Sequence, residues 1–303
     1  MKFQSYLLII LPMSIFSGSC FASEETIKYF SDVINHKYLW KGFYSGINIG
    51  VGFGGFTDNR IDSAPFNNYS AAGDVLNNSY FPSGSINGVS SNQQFGFIGG
   101  GQFGYNHQLN ASYLIGIEAD LQWSSVSGKG NYKAFDTSVA SNRNIPLETY
   151  YALGNGTTQT GMNWFSTIRG RLGYAFRRDA IFFVTGGMAY SNVFSHFNNS
   201  LTLSETYVNG PSEVFGTFSS VKNSSNMKLG WTTGLGAEWM FAKNFSLKAE
   251  TLYYNLGNVN YLSQPVVGIV DDVNLLGAIP KIRVQYDGII AKFGVNYHFN
   301  LPK

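Results

Sequence analysis

Cysteine is nearly missing from this chain: 303 residues hold one, Cys20. Residues 1–22 read as a removable leader, so the mature chain would carry no thiol, which excludes a disulfide framework and thiolate metal chemistry. Charge is also scarce, at 13% Asp, Glu, Lys and Arg, against about 25% in an average globular protein. A net charge of +2 with no Lys/Arg cluster leaves no electrostatic footprint for nucleic acid. No uninterrupted apolar run of about 18 residues exists, which excludes helical membrane spans. His36, His107, His196 and His298 are the only histidines, and none has metal-ligand spacing to another. No Ser/His/acid set is nominated either, so no enzyme is expected.

What the chain does have is glycine, aromatic rings and period-two alternation. In 113–123, Tyr113, Ile115, Ile117, Ala119, Leu121 and Trp123 alternate with Gly116, Glu118, Asp120 and Gln122. In 164–176, Trp164, Ile168, Leu172, Tyr174 and Phe176 share one parity; Thr167, Arg169, Arg171 and Gly173 share the other. Successive strand side chains point to opposite faces. Each segment therefore has one greasy face and one charged face. A charged inside and a greasy outside suit a barrel in lipid.

Six more segments alternate in the same way, beginning near Trp40, Phe95, Phe182, Lys228, Phe245 and Ile289. Their connections run long, short, long, short, long, short, long. The long ones cover roughly 57–92, 125–161, 193–226 and 254–283; the short ones are 109–112, 177–179 and 242–244. The expected fold is all-β: an eight-stranded antiparallel transmembrane β-barrel with long extracellular loops and short periplasmic turns. Outward aromatics fall at strand ends, as interfacial girdles require. Phe43, Tyr105, Tyr113, Phe176, Phe182, Phe241, Phe245 and Phe299 form the lower set. Phe53, Phe95, Trp123, Trp164, Tyr190, Trp231 and Tyr253 form the upper set. A soluble sandwich would explain the alternation but not the girdles.

Every charged residue in the strand cores has inward parity: Glu118, Asp120, Arg169, Arg171, Glu238, Lys248, Glu250 and Lys292. Four acids meet four bases, so the lumen is near neutral. Counting from the turns places Glu238 opposite Lys248, Glu118 level with Arg171, and Asp120 level with Arg169. Eight strands leave an interior that side chains can fill. A salt-bridged structural plug is expected; the competing reading is a selective pore or proton path.

The domain plan is a signal peptide at 1–22, a periplasmic segment at 23–39, the barrel at 40–299 and a tail at 300–303. A lipoprotein reading, with Cys20 acylated, meets Ser17 where such a signal carries Leu. His196, with Phe194, Phe197 and Tyr190 near in sequence, is a candidate haem ligand, set against an ordinary loop histidine. The apolar run from Pro265 through Val266, Val267, Ile269, Val270, Val273, Leu275 and Leu276 to Ile279 is either a docking surface or an extension of the flanking strands.

WKGFYSGINIGVGFGG, GFIGGGQFGYNHQL…YLIGIEADLQWS, WFSTIRGRLGYAF…FFVTGGMAYSNV and LGWTTGLGAEWMFAKNFSLKAETLYYNLG resemble the small α-proteobacterial outer-membrane proteins. These are a porin-like branch of the OmpA-type barrels that includes haemin-binding proteins and major surface antigens. The resemblance implies a place in the bacterial outer membrane, contact with its lipid, and insertion by the barrel assembly machinery. It also implies roles in envelope integrity, adhesion or haem capture, with host surface proteins or haem as partners. The expected function is a structural and surface-interaction protein; the alternative is a narrow porin for small solutes.

Overall fold

The computed structural model describes residues 40–55, 59–70, 84–140, 148–207, 212–262, 266–269, 274–278 and 281–299. The leader, the 23–39 segment and the tail lie outside the described residues. So do Pro265, Val270, Val273 and Ile279. In chain order the strands are β1 (Gly42–Gly54), β2 (Asn59–Ser70), β3 (Gly84–Ser90), β4 (Gln94–Gln108), β5 (Tyr113–Ser124), β6 (Ser127–Ala140) and β7 (Glu148–Arg177). They continue with β8 (Ala180–Tyr207), β9 (Ser212–Ala242), β10 (Phe245–Leu262), β11 (Val266–Ile269), β12 (Asn274–Ala278) and β13 (Lys281–His298).

Eight of these close a ring in the order β1-β4-β5-β7-β8-β9-β10-β13, and β13 pairs back onto β1. Every neighbour in the ring is antiparallel. Closure removes the free edges that lipid cannot hydrogen-bond. The short turns follow from local chemistry. Asn110 Oδ1 accepts from the amides of Ser112 at 2.9 Å and Tyr113 at 2.8 Å, the Asx geometry that reverses a chain. The β7–β8 and β9–β10 reversals need only residues 178–179 and 243–244 between paired strands.

The outward aromatics meet across strands as two belts. In the lower belt Phe43 lies 4.8 Å from Tyr105, Tyr113 5.4 Å from Tyr174, Phe176 4.5 Å from Phe182, and Phe245 5.2 Å from Tyr297. In the upper belt Phe53 lies 5.1 Å from Phe95, Trp164 5.3 Å from Tyr190, and Trp231 5.4 Å from Tyr253. Between the belts the outer face holds Ile47, Ile49, Ile117, Leu121, Ile168, Leu172, Leu235 and Phe293, all exposed on the bare protein. Ile117 is about midway between its belts. Ile117→Arg is expected to cost about 2–4 kcal/mol of folding free energy in vesicles, read by urea titration. Asn131→Arg, on an outward position beyond the upper belt, is expected to cost nothing measurable.

The long connections are not plain loops, which corrects the sequence reading. Strands β7, β8 and β9 run far past the upper belt. The β8–β9 ladder holds from Ala180↔Trp239 to Thr206↔Ser212. From Tyr190 to Tyr207 that is about 55 Å of strand. β6 pairs β7 from Ser127↔Gly161 to Ala140↔Glu148. β11 and β12 form a hairpin that adds to β2. Thus Val266, Val267, Ile269, Leu275 and Leu276 belong to paired strands rather than to an open loop.

At the upper belt the apolar residues change face. On β8, Phe182, Val184, Met188 and Tyr190 face out; beyond them Val193 and Phe197 are buried while His196 and Asn198 are exposed. β7 makes the switch through an irregularity between Met162 and Trp164. β10 makes it through a bulge between Asn255 and Asn258, where Gly257 has φ 73°; that conformation favours glycine. Below the belt the solvent outside is lipid; above it is water. On β7, β8 and β10 the strand stays continuous and the apolar side moves from the outer to the inner face; β9 keeps Val221 and Met227 outward.

Candidate functional site

The barrel interior is filled in three layers. At the periplasmic mouth Trp40, Leu114, Ile181, Phe183 and Met240 make an apolar cluster. Trp40 precedes β1 and is anchored at both polar points. Its indole Nε1 donates to Arg178 O at 3.1 Å, and its amide donates to Gln108 Oε1 at 3.2 Å. Its ring meets His298 edge-on at 5.7 Å.

The charge layer lies next. All eight inward residues named from sequence are buried and joined. Arg169 Nη2 lies 2.5 Å from Glu118 Oε1 and 2.9 Å from Asp120 Oδ2; its Nη1 lies 2.5 Å from Glu250 Oε1. Arg171 Nη2 lies 2.5 Å from Glu238 Oε2, and its Nη1 donates to Tyr44 OH at 3.2 Å. Lys248 Nζ is 2.6 Å from Glu118 Oε2 and 3.2 Å from Glu250 Oε2. Lys292 Nζ is 2.7 Å from Asp120 Oδ2 and 3.3 Å from Glu250 Oε2.

The three expected pairings are met in part: Asp120 does reach Arg169, and Glu118 lies 3.9 Å from Arg171. Lys248 does stand opposite Glu238 in register, yet Glu238 turns to Arg171 and Lys248 reaches Glu118 across the lumen. Glu118 pairs in register with Arg169 rather than with Arg171, and Asp120 with Thr167. Counting from turns missed this because tilted strands in a closed barrel are staggered, so equal distances from two turns do not mean the same rung. In a lumen this narrow, cross-lumen reach also competes with the cross-strand neighbour.

Neutral groups complete the layer. Tyr44 OH donates to Glu118 Oε2 at 2.6 Å. Glu238 Oε1 accepts from Ser246 Oγ at 2.5 Å and Asn296 Nδ2 at 2.7 Å. Phe183 closes the floor, with the Arg171 guanidinium 3.9 Å above its ring centre, a cation–π distance. Taking an ion out of water costs several kcal/mol unless it is paired and hydrogen-bonded. Here each carboxylate has at least one cation within 3 Å. The interior glycines are what admit the long side chains. A Cβ on Gly187 would lie 2.1 Å from Ile168 O and 2.7 Å from Arg169 Cα.

Above the charges the lumen turns apolar again. Ile98, Val126, Met162, Phe165, Leu252, Tyr254 and Ile290 pack together, and the same cluster continues through Val193, Phe197, Tyr261, Ile282, Val284 and Tyr286 into the extracellular extension. Its polar tips are spoken for. Tyr261 and Tyr286 hydroxyls lie 3.1 Å apart, and Tyr286 donates to Phe194 O at 3.0 Å. Tyr132 donates to Asn199 Oδ1 at 2.5 Å, and burial pushes its phenol up to about 12.

Sequence reading missed both apolar layers. The signal was present, since Ile181, Phe183 and Phe165 have inward parity, but attention to polar inward positions passed over them. His196 lies outside this interior, on the exposed face of the extension. Its Nδ1 is 2.7 Å from Asn223 Oδ1, and Phe194 is its aromatic neighbour at 5.6 Å. Phe197 is buried on the opposite face, so the rings are not gathered around the imidazole.

No family model matches the chain. The 31 kDa outer-membrane immunogenic protein of Brucella melitensis is 34% identical over 262 residues, covering 86% of this chain and 85% of the relative. The protein of that name from Brucella suis gives the same values. Among solved structures, the outer membrane protein OprG from Pseudomonas aeruginosa shares 11% identity over 87% of this chain and 98% of that one, with a TM-score of 0.33. A third of residues identical across most of both sequences is decisive: the chain belongs to the α-proteobacterial family of outer-membrane barrels that includes the 31 kDa outer-membrane immunogenic protein, and it lies in the bacterial outer membrane.

Proposed function

We propose that the chain is a structural and surface-interaction protein in which a closed barrel anchors a stiff extracellular β-platform that meets host factors. The observation that carries this reading is the lumen filled at three levels, with its upper core continuous into the extension. A shared core holds the extracellular strands rigid, as a binding surface requires. The narrow-porin alternative needs a water path, and the stacked apolar and ion-paired layers oppose one. Insertion by the barrel assembly machinery fits β13, whose outward Phe293, Val295 and Tyr297 lead to Phe299.

For haem, the surroundings of His196 support the plainer reading. His196→Ala is expected to leave haem affinity unchanged in a spectroscopic titration of the refolded protein. A fall of tenfold or more would restore the ligand role. The main test uses intact cells bearing either the wild type or a variant with β8 and β9 joined by a tight turn beyond Tyr190 and Leu229. Both are exposed to labelled haem and candidate host surface proteins. Binding that disappears with the platform while the barrel stays folded supports the proposal; binding that is unchanged removes it.

A further inference from the structure

The outer face of the extension, just beyond the upper belt, looks toward the lipid boundary. Register places Lys129, Gln159, His196 and Asn223 in one row across β6, β7, β8 and β9. All four side chains point away from the buried core, and Lys133 lies two outward positions further along β6. Over the outward positions of 127–133, 155–163, 192–200 and 219–227 there is no carboxylate. The charged side chains of this face are therefore lysines, beside a histidine, amides and hydroxyls, with Phe194, Val221 and Met227 as its apolar members.

The face is also shaped. Gln159, Asn163, Phe194, His196, Asn223 and Ser225 line a shallow groove of about 550 Å³. Its lower rim is fixed by hydrogen bonds, with Asn163 Nδ2 donating to Asn192 Oδ1 at 2.9 Å and Ser225 Oγ donating to the same oxygen at 3.0 Å. Directly beneath it Trp164 and Tyr190 touch at 5.3 Å and mark the lipid boundary. The Lys129 row is four to six strand residues above that contact, which for a tilted strand is roughly 10–15 Å of height. The groove faces sideways along the membrane, at the level of headgroups rather than of the open medium.

We propose that this face docks the phosphorylated sugar headgroups of anionic glycolipids in the outer leaflet. Lys129 and Lys133 meet phosphate, and the groove of amides, His196 and Phe194 meets saccharide. The charge complementarity and the continuity with the lipid-facing belt favour a lipid occupant over a protein one. The proposal rests on the outer-membrane location, not on the host-factor reading, so either can fail alone.

The test places refolded full-length protein in phosphatidylcholine nanodiscs doped with bis-phosphorylated lipid A or with its dephosphorylated form. Glycolipid retained after detergent extraction is then measured at rising salt. Wild type is expected to retain the phosphorylated form preferentially, with the preference shrinking as salt screens it. Lys129→Gln and Lys133→Gln should each lower that retention about fivefold, while the Lys129→Arg/Lys133→Arg pair keeps it. His196→Gln should weaken both lipids alike. Folding of each variant is read independently from its heat-modifiable electrophoretic mobility. Equal retention of the two lipids by wild type, or undiminished retention by a folded Lys129→Gln/Lys133→Gln variant, overturns the proposal.

Discussion

Arg169→Met is expected to be the most damaging single substitution in the barrel, with the folded, heat-modifiable band lost or its melting transition sharply lowered. Arg169 is the one cation within 3 Å of three carboxylates, Glu118, Asp120 and Glu250. Without it, three acids share Lys248 and Lys292 in a layer with no water-exposed side chain. Removing one partner of a buried pair costs about 3–5 kcal/mol, and here three partners are stranded together. Arg169→Lys keeps the charge but lacks the planar fork, so an intermediate loss is expected. The sharper test is a second substitution. Glu250 draws on Lys248 and Lys292 only at 3.2 and 3.3 Å, so Glu250→Gln should rescue Arg169→Met. The remaining set would be Glu118 with Lys248, Asp120 with Lys292, and Glu238 with Arg171. If the double variant is no more stable than Arg169→Met, charge balance is not what holds this layer.

Planar-bilayer recording of the refolded wild type is expected to give no steady conductance, and no single-layer variant should open it. Trp40→Ala removes the anchored side chain of the periplasmic cluster but leaves the ion pairs and the upper core. Arg169→Met/Glu250→Gln thins the charge layer but leaves apolar cover on both sides. Phe165→Ala takes a ring that sits 5.2 Å from Tyr254 in the upper core and leaves the two layers below. A lumen blocked once would respond to the right single substitution. One blocked three times responds only to combinations. Steady, large conductance from the wild type would sink the closed-barrel reading and restore the porin.

How much of this could be read from residues follows from which forces leave a periodic trace. The eight wall strands were legible because lipid on one side forces strict alternation, and the two belts because rings gather at interfaces. The charges were assigned to the lumen by parity alone. Their partners were legible only in part: Asp120 does meet Arg169, but Lys248 leaves Glu238 for Glu118, because a lysine or arginine spans the lumen as easily as it reaches the next strand. The extension was hidden by its own chemistry. On β8 the odd-numbered residues stay inward from Ile181 to Asn199, but above the belt the outward even positions turn largely polar, with Asn192, His196 and Asn198, while Val193 and Phe197 carry the apolar side inward. A search for apolar outward residues sees the first polar one, Asn192, as the end of the strand.

That inward turn of the apolar side constrains what can be seen from outside the cell. In an ordinary surface loop every residue is free to vary under pressure from recognition. Among the described side chains of β6, β7 and β8 above the belt, alternate residues are open to an antibody, and those between them, such as Tyr132, Thr158, Val193 and Phe197, are buried. Variation in such a surface would accumulate at every second position. Its epitopes would be assembled from rows across strands, such as Lys129, Gln159, His196 and Asn223. A linear peptide from this region would present both faces at once and so would poorly imitate the folded antigen.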